Sequence, residues 1–242
     1  MPEGPSIIIL KEQAQQFCGK KVIDVTGNSK EKISLALGKN ILDFKTWGKH
    51  FLICFPDFTI RIHLLLFGSY RINEGKVLTP RLSLTFDNGC INFYSCSLKL
   101  IYEPLDSIYD WSADIMSPEW DEKAALKKLL SKGNSLLCDV LLDQNMFAGS
   151  GNIIKNEVLF RQKLHPLNTI AAIPTAQLIL LIKDMRQYAF DFLRWKKAFV
   201  LRKHWQAYAQ KTCPRCSLPL IKAPLGNSLR RTFYCENCQQ LF

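Results

Sequence analysis

Cys213-Pro214-Arg215-Cys216 and Cys235-Glu236-Asn237-Cys238 are two Cys-x-x-Cys hooks with eighteen residues between them. Each hook presents two thiolates on one tight turn, and paired hooks at this distance close on a single tetrahedral zinc ion, the intervening segment having room for the two strands of a zinc ribbon. One structural Zn2+ held by Cys213, Cys216, Cys235 and Cys238 is therefore expected at the C-terminal end. Two redox pairs or four unliganded thiols are the competing explanation, and they suit this spacing less well. The other five cysteines, Cys18, Cys54, Cys90, Cys96 and Cys138, have no ligand spacing and sit in mostly apolar surroundings, so they read as small core residues.

Working back from the hooks, the chain changes character twice. Residues 20 to 103 carry short β-branched and aromatic runs, among them Phe51 to Phe55, Thr59 to His63, Leu82 to Phe86 and Ile91 to Tyr94. Reversals at Asp57-Phe58 and Asn88-Gly89 predict antiparallel strands packed as a sandwich or flattened barrel, preceded by a helix over Ile7 to Phe17. Past Pro104 a polar stretch with Trp111, Pro118 and Trp120 leads into helical periodicity at Asp121 to Ser131 and Ser135 to Leu142. A further helix follows Asn152, and a long amphipathic one starts after Pro174 and runs through Leu193. The fold class expected is α+β. An N-terminal β-sandwich domain (1–112) with a flanking helix is followed by a helical domain (113–208) and a C-terminal four-Cys zinc finger (209–242).

Composition bounds what such a protein can do. Of the 242 residues 48% are apolar and 22% charged, the balance of folded domains and not of a disordered tail. A net charge of +11 favours a polyanionic partner, with nucleic acid and an anionic membrane surface both in contention. No apolar run reaches the ~20 residues that span a bilayer, and Met1-Pro2-Glu3-Gly4-Pro5 lacks the layout of a secretory signal, so a cytosolic protein is expected.

Removal of Met1, which a small second residue permits, would expose the secondary amine of Pro2. An α-amino group has a pKa of ~8 against ~10.4 for lysine, so near neutrality it offers far more free base. Pro2 is thus a candidate nucleophile, and the neighbouring Glu3 a candidate general acid and base.

Pro2-Glu3-Gly4-Pro5, Leu141-Leu142-Asp143-Gln144 with Ala148-Gly149-Ser150-Gly151-Asn152 and Glu157-Val158-Leu159-Phe160, and the four-cysteine end together resemble the formamidopyrimidine-DNA glycosylase and endonuclease VIII family over essentially the whole chain. The resemblance implies a helix-two-turn-helix in the helical domain and damaged double-stranded DNA as the partner, bound by a monomer with no membrane involvement. It also implies a bifunctional enzyme. Pro2 forms a Schiff base with the sugar at an oxidised base, Glu3 moves the protons, and Lys49, in Trp47-Gly48-Lys49-His50-Phe51-Leu52, assists catalysis and contacts phosphate.

The same resemblance supplies the DNA-binding set. Asn152, read as the cap of a helix whose free N–H groups face a phosphate, belongs to it, and Gly149 and Gly151 allow the tight turns. Arg230 is the phosphate-gripping arginine by register from Cys235, with Arg231 sharing the role or adding charge. His63 contacts phosphate, while Leu65, Leu66 and Phe67 fill the gap left by a flipped nucleotide, although a run of four apolar residues also suits a core strand. The formamidopyrimidine branch carries an Arg-Phe pair where this chain reads Asn92-Phe93-Tyr94-Ser95-Cys96-Ser97. That departure, and Phe67, lean the reading to the endonuclease VIII-like branch and to oxidised pyrimidines. The alternative from another class is a damaged-DNA-binding protein that keeps the scaffold and performs no chemistry.

Overall fold

The computed structural model describes residues 2–242, which form two compact units, the first ending at Tyr109 and the second beginning at Asp110.

The first unit opens with α1 (Gly4–Ala14), where Pro5 lies in the first turn with its missing N–H harmless and its φ already helical. Seven of its strands are four to six residues long, and β1 has three: β1 (Asp24–Thr26), β2 (Asp43–Trp47), β3 (His50–Cys54), β4 (Thr59–His63), β5 (Ser69–Ile72), β6 (Leu82–Phe86), β7 (Gly89–Tyr94) and β8 (Ser97–Ile101). They form two antiparallel sheets, in the orders β1-β6-β7-β5 and β2-β3-β4-β8. The β6 residues Leu82, Leu84 and Phe86 are buried while Ser83 and Thr85 are half-buried, the period-two pattern of a strand with one face on a core. In β3 the apolar run Phe51, Leu52 and Ile53 is buried throughout. One core takes in Ile7, Leu10 and Ala14 from α1 together with Phe44, Phe51, Ile60, Leu84 and Phe93 from both sheets. Truncating one of these, as in Phe51→Ala, would cost about 3–5 kcal/mol.

Two reversals differ from the expected positions. The β3–β4 turn is Pro56-Asp57: the Phe55 N–H donates to the Phe58 carbonyl at 2.8 Å and the two rings stack at 4.8 Å, so Phe58 closes the turn instead of forming it. The β6–β7 turn is Asp87-Asn88, because Gly89 already pairs with Phe86.

The second unit contains α2 (Glu122–Leu130), α3 (Leu137–Val140), α4 (Asn152–Arg161) and α5 (Thr175–Lys197), then the hairpin β9 (Ile221–Leu225) and β10 (Arg230–Tyr234). Asp121 starts α2 by accepting from the Lys123 and Ala124 N–H groups. Helix α3 is shorter than the periodicity predicts. The chain beyond it is held in two turns by Gln144, whose Nε2 donates to the carbonyls of Leu142 and Ser150 and whose Oε1 accepts from the Gly149 N–H. Gly149, at φ 96°, supplies the backbone conformation that a side chain would resist there. The fold is α+β, with a sandwich unit followed by a helical unit that ends in a four-cysteine hairpin. Among the described residues no helix is long and apolar enough to cross a membrane.

Candidate functional site

In the first unit, Pro2 lies just outside α1 and is half-buried. Glu3 occupies the N-cap position with extended backbone (φ −122°, ψ 173°) and is wholly buried at 0% exposure. A carboxyl group therefore sits out of water one residue from the chain's first described nitrogen.

Lys49 lies at the tip of a hairpin. With Gly48 it makes the two-residue turn between β2 and β3, the pairing of Trp47 with His50 fixing the hairpin. Directly behind that turn His50 pairs across the sheet with His63, their rings edge-on at 5.5 Å, and His50 also meets Trp47 at 5.5 Å and Tyr109 at 5.8 Å. Burial, then the Arg61, His63 and Lys49 charges, pull the His50 pKa down to about 3. His63 is lowered for the same reasons, burial first and then Lys49 and Arg61. Both imidazoles are thus neutral at physiological pH, and the positive charge near this hairpin tip belongs to Lys49 and Arg61.

His63 ends β4, and the loop that follows carries the other residues expected at DNA. Only Leu64 enters the core, at 3% exposure, whereas Leu65 is 49%, Leu66 43% and Phe67 88% exposed. The core-strand alternative for this run fails on geometry. The loop folds tightly, the Gly68 N–H donating to the Leu64 carbonyl at 2.7 Å and Leu65 taking φ 53°, so the next three side chains splay outward.

In the second unit, Asn152 does not cap α4. Gly151 takes the cap position and Asn152 is the first helical residue; its Nδ2 donates to the Arg231 carbonyl at 2.8 Å. Helix α4 grips β10 along its length, Asn156 accepting from the Phe233 N–H at 2.7 Å and the buried Lys155 reaching Thr232 Oγ1 at 2.8 Å. Asn152 and Arg231 are thereby brought together, and both line a cavity of about 450 Å³ with Lys211, Lys222 and Tyr208. Successive residues of a strand face opposite sides, so Arg230, also exposed, projects away from Arg231 and does not line that cavity.

The four cysteine sulfurs converge within 4.8 Å of one another, Cys213 to Cys238 at 3.9 Å and Cys216 to Cys235 at 3.5 Å. Tetrahedral thiolates at 2.3 Å from zinc stand about 3.8 Å apart, so the set fits such an ion. Arg215 holds the hook loop to α4 by donating to the Phe160 carbonyl at 2.8 Å and lying over the Phe160 ring at 4.1 Å. Of the remaining cysteines Cys96 and Cys138 are buried, and Cys18, Cys54 and Cys90 are half-buried.

Sequence reasoning gave no role to Glu157. It is buried in α4, and its carboxylate accepts the N–H groups of Gln206, Ala207 and Tyr208 at 2.9, 3.0 and 2.7 Å, tying the segment before the hooks to α4. Burial raises its pKa. An acid directly before the apolar run Val158-Leu159-Phe160 was the signal that could have marked it. Asp139 escaped notice too: it accepts from the Asn227 and Ser228 N–H groups and so anchors the β9–β10 turn to α3.

Comparison with known proteins adds the family. Residues 113–192 match the formamidopyrimidine-DNA glycosylase H2TH domain. Endonuclease 8-like 3 of Mus musculus is 32% identical over 213 residues, covering 81% of this chain and 34% of the relative. Endonuclease 8-like 2 of Bos taurus is 31% identical over 195 residues, covering 74% and 58%. This chain therefore spans about a third of the first relative and somewhat more than half of the second. Among solved structures, a viral DNA glycosylase superposes with a TM-score of 0.87 at 20% identity, covering 98% of this chain and 100% of that one. Lactococcus lactis formamidopyrimidine-DNA glycosylase, non-covalently bound to DNA containing an AP site, gives 0.86 at 22% identity, with 98% and 99% covered. The class is thus a helix-two-turn-helix protein with the formamidopyrimidine-DNA glycosylase fold. These likenesses support the formamidopyrimidine-DNA glycosylase and endonuclease VIII family for this chain, leaning to the endonuclease VIII-like branch.

Proposed function

We propose that this protein is a bifunctional DNA glycosylase and abasic-site lyase of base excision repair that removes oxidised bases, pyrimidines in preference, from double-stranded DNA. The observation that carries the reading is Glu3, wholly buried and adjacent to Pro2 at the point where the backbone enters α1. With Met1 removed, the Pro2 nitrogen bonds to C1′ as the bond from C1′ to the base breaks. Glu3 delivers a proton to the ring oxygen, and the sugar opens to an iminium on Pro2. Loss of a C2′ proton then sends electrons into that iminium and expels the 3′ phosphate. A second elimination releases the 5′ phosphate.

Lys49 assists from its hairpin turn as a fixed cation near a phosphate. Asn152, His63, Arg230 and Arg231 hold further phosphates, and Leu65, Leu66 and Phe67 occupy the gap left by the flipped nucleotide. Cys213, Cys216, Cys235 and Cys238 hold one zinc ion, which supplies structure to the hairpin that carries the arginines. Exposed apolar side chains beside a tightly closed loop, and cations around a cavity at the start of a helix, suit these assignments.

The test is reductive trapping. Borohydride added during reaction with a duplex containing an oxidised pyrimidine should yield a covalent complex, with mass spectrometry placing the link on Pro2. Extending the mature terminus by one residue should abolish it. Binding to damaged duplex without any trapping, by protein shown to begin at Pro2, would leave a damage-binding protein and remove the enzyme.

A further inference from the structure

Helix α5 ends in a conformation that its own sequence makes unfavourable. Beyond the C-cap Ala198, the Phe199 N–H donates to the Lys196 carbonyl at 3.1 Å and the Val200 N–H to the Trp195 carbonyl at 2.9 Å, the paired bonds of a Schellman motif. That motif makes the residue after the cap left-handed, and Phe199 lies at φ 58°. Glycine is the usual occupant because a β-carbon is penalised there. The phenylalanine ring recovers nothing by burial, since it is 96% exposed.

Cations surround it. Arg194, Lys196 and Lys197 lie in the last turn of α5, and Arg202 and Lys203 in the short 3-10 turn that follows. The Trp195 and His204 rings stack at 4.1 Å with planes 5° apart, which folds the second group back against the helix end so that both groups flank Phe199. Between Asp191 and Glu236 the chain has ten Lys and Arg residues and no acid.

We propose that Phe199 and the cations of residues 194–204 form an accessory contact for single-stranded nucleic acid, the cations holding phosphates while the ring stacks on an unpaired base. The inference rests on the DNA-acting reading above but uses none of the residues assigned there. Intact duplex offers phosphates and hides its base faces, so a lone protruding ring favours unpaired nucleotides. An anionic membrane would need a broad apolar face beside the charges. Here the exposed residues between positions 194 and 204, other than Phe199, are Arg194, Lys197, Ala198, Arg202, Lys203 and His204.

The experiment measures anisotropy of a labelled, undamaged oligothymidine with the full chain, Phe199→Gly and Arg202→Gln/Lys203→Gln. Phe199→Gly should weaken binding roughly tenfold, the loss of one base–aromatic stack, while the unfolding temperature stays level or rises because glycine relieves the left-handed backbone. The double substitution should flatten the salt slope by about 1.4, two phosphates' worth for a single strand. Unchanged affinity in the folded Phe199→Gly protein overturns the proposal. So does binding to phosphatidylserine vesicles that Phe199→Gly abolishes while oligothymidine affinity holds. Borohydride trapping on a lesion duplex runs alongside. Trapping by the wild-type chain with no Phe199 effect leaves the enzyme reading and removes the accessory contact, and the reverse pair of results does the opposite.

Discussion

Asn152 Nδ2 donates to the carbonyl of Arg231 at 2.8 Å, a bond spanning 79 positions of chain that fixes the first turn of α4 against the strand carrying the arginines. Its Oδ1 is buried and accepts no hydrogen bond from any described residue. Asn152→Ala should therefore cost about 1 kcal/mol of stability, the net worth of one such bond. It should cost more in affinity for an abasic duplex, because Arg231 loses its anchor as well. Urea unfolding beside a binding titration checks this, and equal losses in both would leave Asn152 a purely structural residue.

Phe67 is 88% exposed, so truncating it should leave the fold intact. Phe67→Ala is expected to shift the unfolding midpoint negligibly while lowering base excision from duplex roughly tenfold, the order expected when a wedge that stands in for lost stacking is removed. Excision from a single strand should suffer much less. A parallel loss on both substrates would place Phe67 elsewhere in the reaction.

Metal analysis of the purified chain should return one zinc per molecule, and Cys216→Ala should return none. Cys213 and Cys235 pack in one cluster with Phe160, Ala207 and Phe233, so loss of the ion loosens contacts made by α4 itself. Hydrogen exchange should show lost protection from residue 209 onward and around Phe160, with the amides of the first unit unaffected. Retention of full DNA affinity by the metal-free protein would contradict the role given to the hairpin.

The His50 pKa near 3 sets an acid limit on stability. An unfolded histidine titrates at about 6.5, so between that value and 3 the unfolded chain binds a proton that the folded chain refuses. Stability is then complete above about 6.5 and falls as the pH drops toward 3. His63, lowered in the same direction, adds to the trend. His50→Phe keeps a ring against Trp47, His63 and Tyr109 and removes the titrating proton. Urea midpoints at pH 4 and pH 7 should differ less in this variant than in the parent, and an equal difference in both would assign the acid sensitivity to other groups.

Strands β3, β4 and β6 were readable because a run of alternating or wholly apolar residues between turn formers has few other structures open to it, and the paired cysteine hooks were readable because thiolate geometry tolerates little variation. What stayed hidden depends on contacts distant in sequence. Nothing local separates Gly151 from Asn152 as the cap of α4, and nothing local shows that the Asn152 amide donates to a carbonyl on β10. Lys155 looks like a surface lysine until Thr232 arrives to receive it in the interior. The run Leu64 to Phe67 is apolar throughout, and only the closed loop decides which of its side chains enters the core. Pro2, Glu3 and Lys49 were singled out by likeness to a family and by amine chemistry, and no periodicity would have found them.

The turn that starts at Leu64 has no space for a side chain at Gly68, where a β-carbon would run into the Leu64 carbonyl. The backbone at both ends of that loop is thus pinned, whereas the outermost side chain between them, Phe67, owes the scaffold little. Such a tip can be rewritten by point substitution without retuning the rest of the molecule. Exchange of that side chain leaves the framework unchanged for as long as position 68 remains glycine.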